Sequence, residues 1–413
     1  MKDIIELTDI KLPPDPSRVL MQPFYPGSEH RVMNVLERIL KLDERKTEEL
    51  YQNIMASFSG RHRNTGEIFE RNFELVKKYL DRAVTPYMRL LIGAYFSKEY
   101  SIESAALFNP SIVPHPLDPS GGRFVMSLRA TGEGHISSVE FREGTIEAGK
   151  VTLDPYSKFL DAGEVVNEGE DFYEIRFSTE VPISERVLFP YKDSESHGME
   201  DARFVRFFDE NVGPFFYATY TAYDGKKTSI GLIETQDFKD FKISRLHGSE
   251  VMDKGMALFP KKIGGRYMMI SRQDGENLYI MDSDKVDTWN KKSLLKAPVF
   301  DWEFVQVGNC GSPLETDAGW LLLTHSVGAV RTYVISAVLL DLNDPSKITG
   351  YLPEVLISPT EKTREGYVPN VVYSCGSMIH NGKLIIPYAM ADSASGVAVV
   401  DVNELLNRLI RIV

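Results

Sequence analysis

Between residues 28 and 100 the apolar positions return every third or fourth residue. Val32, Val35, Leu36, Ile39 and Leu40 set the spacing, and Leu50, Ile54 and Phe58 repeat it. Phe69, Phe73, Val76 and Leu80 repeat it again. That period gathers them on one face of a helix. Thr85-Pro86 reads as an N-cap followed by proline in the first turn, where the missing N–H has no helical partner to lose. From about residue 105 the period changes. Short β-branched and aromatic runs alternate with Gly, Asp, Asn and Pro turns: GRFVMSLRA, PFFYATYTAYDG, GRYMMISRQDG, GWLLLTHSV and GKLIIPYAMAD. These read as strands, each with polar residues toward its C-terminal end.

The second texture repeats. HISSVEFREG, TSIGLIETQDFKDF, NLYIMDSDKVDTW, YVISAVLLDLNDPSK and GVAVVDVNELL each join a strand of small and apolar residues to an acidic turn. They start near 135, 228, 277, 333 and 396, and a strand run of the first kind precedes each. Five copies at roughly 50–60-residue spacing predict a mainly β fold, a five-bladed β-propeller with an N-terminal α-helical extension. A two-sheet β-sandwich with irregular loops is the alternative. The first interval is longer than the others, which places an insertion near 145–190. The expected division is a helical extension over residues 1–104 and a propeller catalytic domain over 105–413.

Composition narrows what such a fold does. The 413 residues carry a formal net charge of -12 with no Lys/Arg-rich stretch. That argues against nucleic acid and anionic membranes as partners and suits a neutral substrate such as a sugar. Two isolated cysteines, Cys310 and Cys375, make neither a disulfide framework nor a metal spacing. The opening MKDIIELTDIKLPPDPS lacks the apolar core of a signal peptide, and no run approaches the ~18 apolar residues of a membrane helix. A cytoplasmic location is the expectation. No GxGxxG, P-loop, HExxH, CxxC or GxSxG is present.

In a propeller, polar residues at corresponding strand ends converge on one end of the central channel, so separate short motifs build one site. FNPS supplies Asn109; LRATGEGHISS supplies Arg129, Glu133 and His135; SESHGMEDARF supplies Glu195, His197, Glu200, Asp201 and Arg203. Tyr223, Asp224, Lys254, Arg272, Asp274, His325 and Asp392 follow. Several carboxylates around one cavity are what glycoside cleavage needs: one acid protonates the departing oxygen, and in an inverting hydrolase a second activates water from ~6.5–9.5 Å away. Arg and Lys suit a phosphate or a sugar hydroxyl; Tyr223 and Trp302 suit pyranose faces. Each residue also has a plain structural reading. Glu200 and Arg203 make an ion pair, Asn109 and Asp224 make turns, and His325 is a hydrogen-bonded strand histidine. Only the set lifts the functional reading.

The order FNPS, RATGEGHIS, GMEDARF, YTAYDGKK, KGMALFPKKIGGRY, GWLLLTHSV, LLDLNDPSK, VPNVV, YAMAD resembles glycoside hydrolase family 130 over roughly residues 105–401. That family comprises β-mannoside phosphorylases and β-1,2-mannosidases on a five-bladed propeller. The resemblance implies a β-mannoside oligosaccharide as substrate, inversion at the anomeric carbon, and no cofactor, with inorganic phosphate as a possible co-substrate. It implies sugar contacts at Asn109 and Asp392, and an ED-x-R site of Glu200, Asp201 and Arg203 in which the arginine faces phosphate and sugar. Arg129 falls on the arginine of the first-blade motif, and Lys254 on a lysine that contacts phosphate. The amphipathic helices before the shared region are similar to oligomerisation elements, so a homo-oligomer is expected.

The departures from the family pattern carry as much information. Gly134 stands where the phosphorylases place their acid, so Glu133, His135 or Glu195 has to substitute. Ser271 and Ser229 stand where they place a phosphate-binding His and Arg. Arg203 and Lys254 remain, and Lys226, Lys227 or Arg331 are available to rebuild the rest. The leading expectation is therefore hydrolysis by water. Phosphorolysis to mannose 1-phosphate and a non-catalytic sugar-binding propeller are the alternatives.

Overall fold

The structure, a computed structural model, describes residues 4–118, 120–209 and 213–412. The chain divides into two compact units. One spans residues 15–102 with 157–161; the other takes up the remainder, including the first fourteen residues. The expected boundary at 104 thus shifts at the N-terminus. The first strand, β1 (Ile5–Leu12), belongs to the β unit, where it pairs antiparallel with the last long strand.

The helical unit follows the 3.6-residue pattern. Its helices are α1 (Glu29–Ile39), α2 (Glu44–Phe58), α3 (Thr65–Val76) and α4 (Pro86–Tyr95). Ser28, Asp43 and Thr85 cap three of them by accepting backbone N–H bonds from Arg31, Lys46 and Met88, which satisfies donors the first turn leaves open. Val32, Leu36, Ile39, Phe73, Val76, Leu91 and Ile92 form the core. Leu50 and Ile54 pack on it only partly buried. Gly93 permits close packing of α3 on α4, since a Cβ there would lie 1.8 Å from the Phe69 carbonyl oxygen. The Arg18 guanidinium donates to the Ser157 carbonyl at 2.5 Å and ties the 157–161 segment into this unit.

The β unit bears out the repeat. Its strands include β2 (Ala106–Pro114), β3 (Arg123–Thr131), β4 (Ser137–Glu147), β5 (Gly198–Asp209), β6 (Gly213–Tyr223) and β7 (Thr228–Thr235). Then come β8 (Tyr267–Ser271), β9 (Leu278–Ser283), β10 (Gln306–Asn309), β11 (Gly319–Val327) and β12 (Tyr333–Leu340). β13 (Val372–Tyr373), β14 (Lys383–Met390) and β15 (Ala394–Asp401) end the series. All five repeat segments are strands, and each pairs antiparallel with the run before it: β3–β4, β6–β7, β8–β9, β11–β12 and β14–β15. The insertion adds Glu164–Glu168 and Phe172–Arg176 beside Asp240–Arg245, widening the second group.

Apolar cores join consecutive groups. Phe141 of β4 meets Phe204 of β5; Phe207 and Leu232 meet Met269 and Met281; Ile270 and Ile280 meet Trp320 and Leu322. Leu321 and Ile335 meet Leu384 and Ile386, and Ala389 of the fifth group returns to Ala106 and Phe108 of the first. β2 is buried along almost its whole length, so polar residues there survive only when paired or when they face a ligand.

Candidate active site

The ends of these strands carry an unusual backbone. Register shifts interrupt β2 between Phe108 and Ser111 and β5 between Glu200 and Arg203. Asn109 and Asp201 sit inside those bulges with φ of 48° and 55°, and Asp392, after β14, has φ 49°. Left-handed non-glycine residues cost energy and persist where the surroundings fix them, most often at functional sites. Here the bulge turns two successive carboxylates, Glu200 and Asp201, toward one guanidinium. Arg129 of β3 donates from Nη2 to Glu200 at 2.7 Å and from Nη1 to Asp201 at 3.2 Å, and its Nε is held by Ser137 at 2.8 Å. Asn109 donates to the same Asp201 oxygen at 2.6 Å. The Asn109 Oδ1 is buried with no protein partner among the described residues. An orphaned acceptor in so dense a knot is placed for a ligand donor.

The carboxylates of this knot differ in charge state. Burial works against the Asp201 charge, but Arg129, Lys254 and the Asn109 bond hold its carboxyl below the ordinary value. Burial pushes Glu200 upward despite Arg129. Burial, with the Asp201 charge added, pushes Asp392 up to about 6. Neighbouring carboxyls driven apart in this way give one group that stays ionised and one that can hold a proton near neutrality.

The Arg203 charge also acts on Asp201, and around Arg203 lies a second cluster. Arg203 is 2% exposed; it donates to the Asn309 carbonyl at 2.8 Å and to the Tyr373 hydroxyl. His325 meets the same Asn309 carbonyl through Nδ1 at 3.2 Å and Arg272 through Nε2 at 3.3 Å. Burial, then the Arg272 charge, drives the His325 pKa far down, so the ring is neutral. With the Gln306 amide oxygen turned toward it, Arg272 also donates there at 2.6 Å. Its nearest carboxylate, Asp253, is 3.8 Å away, and its Nε is unpartnered. Among the described residues no carboxylate is within hydrogen-bond reach of Arg203. Lys254 is exposed, and its charge acts on Glu200, Asp201, Asp392 and His325. Arg203 bonds no carboxylate and Arg272 faces only Asp253 at 3.8 Å, so these two buried guanidiniums retain donors and charge for a further anion.

On the Arg129–Glu200 side a cavity of about 230 Å³ opens, walled by Phe108, His135, His197, Tyr223 and Tyr367. Polar floor and aromatic walls suit a ligand that presents hydroxyls on its edge and C–H bonds on its faces.

A family model described as β-1,4-mannooligosaccharide phosphorylase, that of glycoside hydrolase family 130, matches residues 86–411. The chain belongs to glycoside hydrolase family 130. It is therefore an enzyme acting on carbohydrate. A 1,2-β-oligomannan phosphorylase of Thermoanaerobacter sp. (strain X514) is 32% identical over 228 residues, 54% of this chain and 75% of the relative. A β-1,2-mannobiose phosphorylase of the same strain is 29% identical over 75% of this chain and 94% of its own length. The solved β-1,2-mannobiose phosphorylase of Listeria innocua shares the fold, with a TM-score of 0.54 at 20% identity over 74% of this chain and 92% of that one.

The family frame sorts the expected residues. Asn109, Arg129, Glu200, Asp201 and Asp392 gather, and Arg203, Arg272 and His325 form the adjoining cluster with Lys254 close by. The ion pair expected between Glu200 and Arg203 is instead made by Glu200 and Arg129. Tyr223 and His135 line the cavity; Glu133 is exposed on the turn before His135. Glu195 is elsewhere. Its buried carboxylate accepts from Tyr173 at 2.9 Å, from Tyr220, and from the backbone of Tyr191 and Lys192 at 3.0 and 3.2 Å. It closes a turn, and its acceptor sites are filled by protein donors. Asp224 accepts from Lys226 and Lys227 N–H groups and Asp274 from Glu276 and Asn277, so both are turn residues. Trp302 is stacked on Phe300 at 4.6 Å rather than offered to a sugar. Ser271 is buried and donates to Gln273 at 3.0 Å.

Sequence reasoning missed Asn309, Tyr367 and Tyr373. A signal for Glu195 was present: PYKDSE and PVFDWE are one turn used twice, and Glu303 accepts from Val299 and Phe300 N–H groups as Glu195 does from Tyr191 and Lys192.

Proposed function

We propose that this enzyme cleaves β-mannosides, β-1,2-linked ones foremost, by inverting phosphorolysis, with the five strand groups as blades of a propeller around the site. The observation that carries this reading is that Arg203 and Arg272 are both buried, with no hydrogen-bonded carboxylate and with Asp253, 3.8 Å from Arg272, as the one close counter-charge among the described residues. Inorganic phosphate supplies the missing charge, and each charge-assisted bond contributes about 1.5–3 kcal/mol. The curated relatives above act as phosphorylases. In the proposed step a phosphate oxygen attacks the anomeric carbon on the face opposite the departing oxygen. The glycosidic C–O bond breaks as the Asp392 proton passes to that oxygen, directly or through a mannose hydroxyl. The products are α-mannose 1-phosphate and the shortened sugar. Asn109, Arg129 and ionised Asp201 orient the mannosyl ring.

The resemblance favours hydrolysis as the second reading: Ser271 and Ser229 stand where it implies a phosphate-binding His and Arg. One experiment decides between them. β-1,2-Mannobiose is incubated with and without inorganic phosphate and the products are read by NMR. The expected result is α-mannose 1-phosphate, formed only with phosphate. Free mannose released at the same rate without phosphate gives the reaction to water and overturns the proposal.

A further inference from the structure

The segment 364–371 is an arm laid across three strand groups of the β unit. Its backbone bonds to Tyr333 of β12 through the Asn370 carbonyl at 2.9 Å. It bonds twice to the turn after β14, Val368 N–H to the Ala391 carbonyl at 3.0 Å and Ala391 N–H to the Val371 carbonyl at 2.8 Å. Asn370 N–H closes back on the Arg364 carbonyl at 3.0 Å. Gly366 lies flat on that turn: a Cβ there would sit 2.6 Å from the Ala391 oxygen and 2.7 Å from its Cβ. So the arm is pinned immediately beside Asp392. The next residue, Tyr367, carries its ring to the first group, where it meets the His135 ring with centroids 5.5 Å apart and planes 32° apart. Yet Tyr367 is 66% exposed. Tyr367 lines the same cavity as Phe108, His135 and Tyr223, with ring surface left open for a ligand face.

The place of the cavity says what binds there. Arg129 and Glu200, which hold Asp201 in the knot, line the cavity, whereas Arg203, Arg272 and His325 do not. In an in-line displacement the nucleophile and the leaving group stand on opposite faces of the anomeric carbon. With phosphate at the arginines and the mannosyl ring over Asp201, the departing sugar falls in the cavity. We propose that Tyr367 is a specificity-determining residue that stacks on the leaving-group pyranose, with His135 extending the same wall. The inference rests on the phosphorolytic reading for its choice of side, and deepens it by assigning the acceptor site.

The test is Tyr367→Ala against Tyr367→Phe, run in both directions. In the synthetic direction, mannose as acceptor and α-mannose 1-phosphate as donor are varied separately. For Tyr367→Ala the expected result is an acceptor KM raised about tenfold, the effect of losing a stacked ring, with the donor KM within twofold of the parent. Tyr367→Phe keeps both. Equal rises in both KM values, or an unmoved acceptor KM, overturn the assignment. If the enzyme proves hydrolytic, the synthetic arm is silent, and the KM for β-1,2-mannobiose hydrolysis in the same two variants takes its place. A KM that rises for Tyr367→Ala and is kept by Tyr367→Phe sustains the ring's role, and an unmoved KM refutes it. A wrong reading of the nucleophile is thereby separated from a wrong reading of Tyr367.

Discussion

Two sets of carboxylates occupy strand ends and turns in this protein. Glu195 and Glu303 are each 2% exposed; both accept backbone N–H groups of their own turn, and Tyr173 and Tyr220 on neighbouring strands and Lys296 fill further acceptor sites. Asp201 and Asp392 also sit in tight backbone, but in left-handed conformations, and Asp201 accepts from Asn109, whose own oxygen is unpartnered. Asp201 is bonded as Glu195 and Glu303 are. They differ in what remains open. A carboxylate whose acceptors are filled by fixed N–H and O–H groups is a structural device. One that shares a guanidinium with a second carboxylate, and whose neighbour is pushed toward protonation, retains capacity for substrate and for a proton.

The contrast breaks first at the largest effect. Asp201→Asn should cut kcat/KM for β-1,2-mannobiose at least ~10²-fold, the scale of a lost acid, base or key electrostatic group, while thermal unfolding stays cooperative. A variant that fails to fold would place Asp201 with Glu195. Glu195→Gln should do the reverse: a loss of about 1–3 kcal/mol in denaturant unfolding, from donors left without a charged acceptor, with kcat/KM per folded molecule unchanged. A selective loss of activity would return Glu195 to the list of acid candidates.

Arg203→Lys sharpens the anion side. Lysine keeps charge but loses the planar fork that reaches both Asn309 and Tyr373. The KM for phosphate should rise about tenfold, corresponding to ~1.4 kcal/mol, with the KM for mannobiose nearly constant. Parallel rises in both would mean that the guanidinium holds the fold rather than the anion.

The pH dependence is gentler. Asp392 must carry its proton to act as acid, so kcat/KM should fall as pH rises through about 6. The stability sign follows from the same shift. Its folded pKa is above the ordinary 3.8, so the stability it contributes is complete below 3.8 and is lost as pH rises through about 6. Asp392→Asn should therefore raise Tm relative to the parent at pH 7.5 and leave it unchanged at pH 4. A lower Tm at pH 7.5 would show that the Asp392 charge is needed for the fold. The smallest effect belongs to Asp274, a mostly exposed turn residue: Asp274→Ser should cost under ~1 kcal/mol and leave kcat/KM alone.

Much of this was legible in the order of residues. Helical and strand periods separated the two textures near residue 105 because side-chain direction repeats every 3.6 residues in one and every two in the other. The five repeats declared themselves because each strand pair needs the same alternation and the same acidic turn. The motifs around Asn109, Arg129, Glu200, Asp201, Arg203 and Asp392 could be collected by type. Whether a given carboxylate has spare valence could not be read there, because its donors come from residues far away in sequence. Tyr220 reaches Glu195 from 25 residues on, Asn109 reaches Asp201 across 92, and Tyr373 reaches Arg203 across 170. The membership of β1 in the last strand group, the partner exchange that gives Glu200 to Arg129, and the seat of Tyr367 over the cavity share that cause. Local patterns determine which elements form. Only the closing of the chain on itself decides which charges meet, which are satisfied, and which are left for substrate.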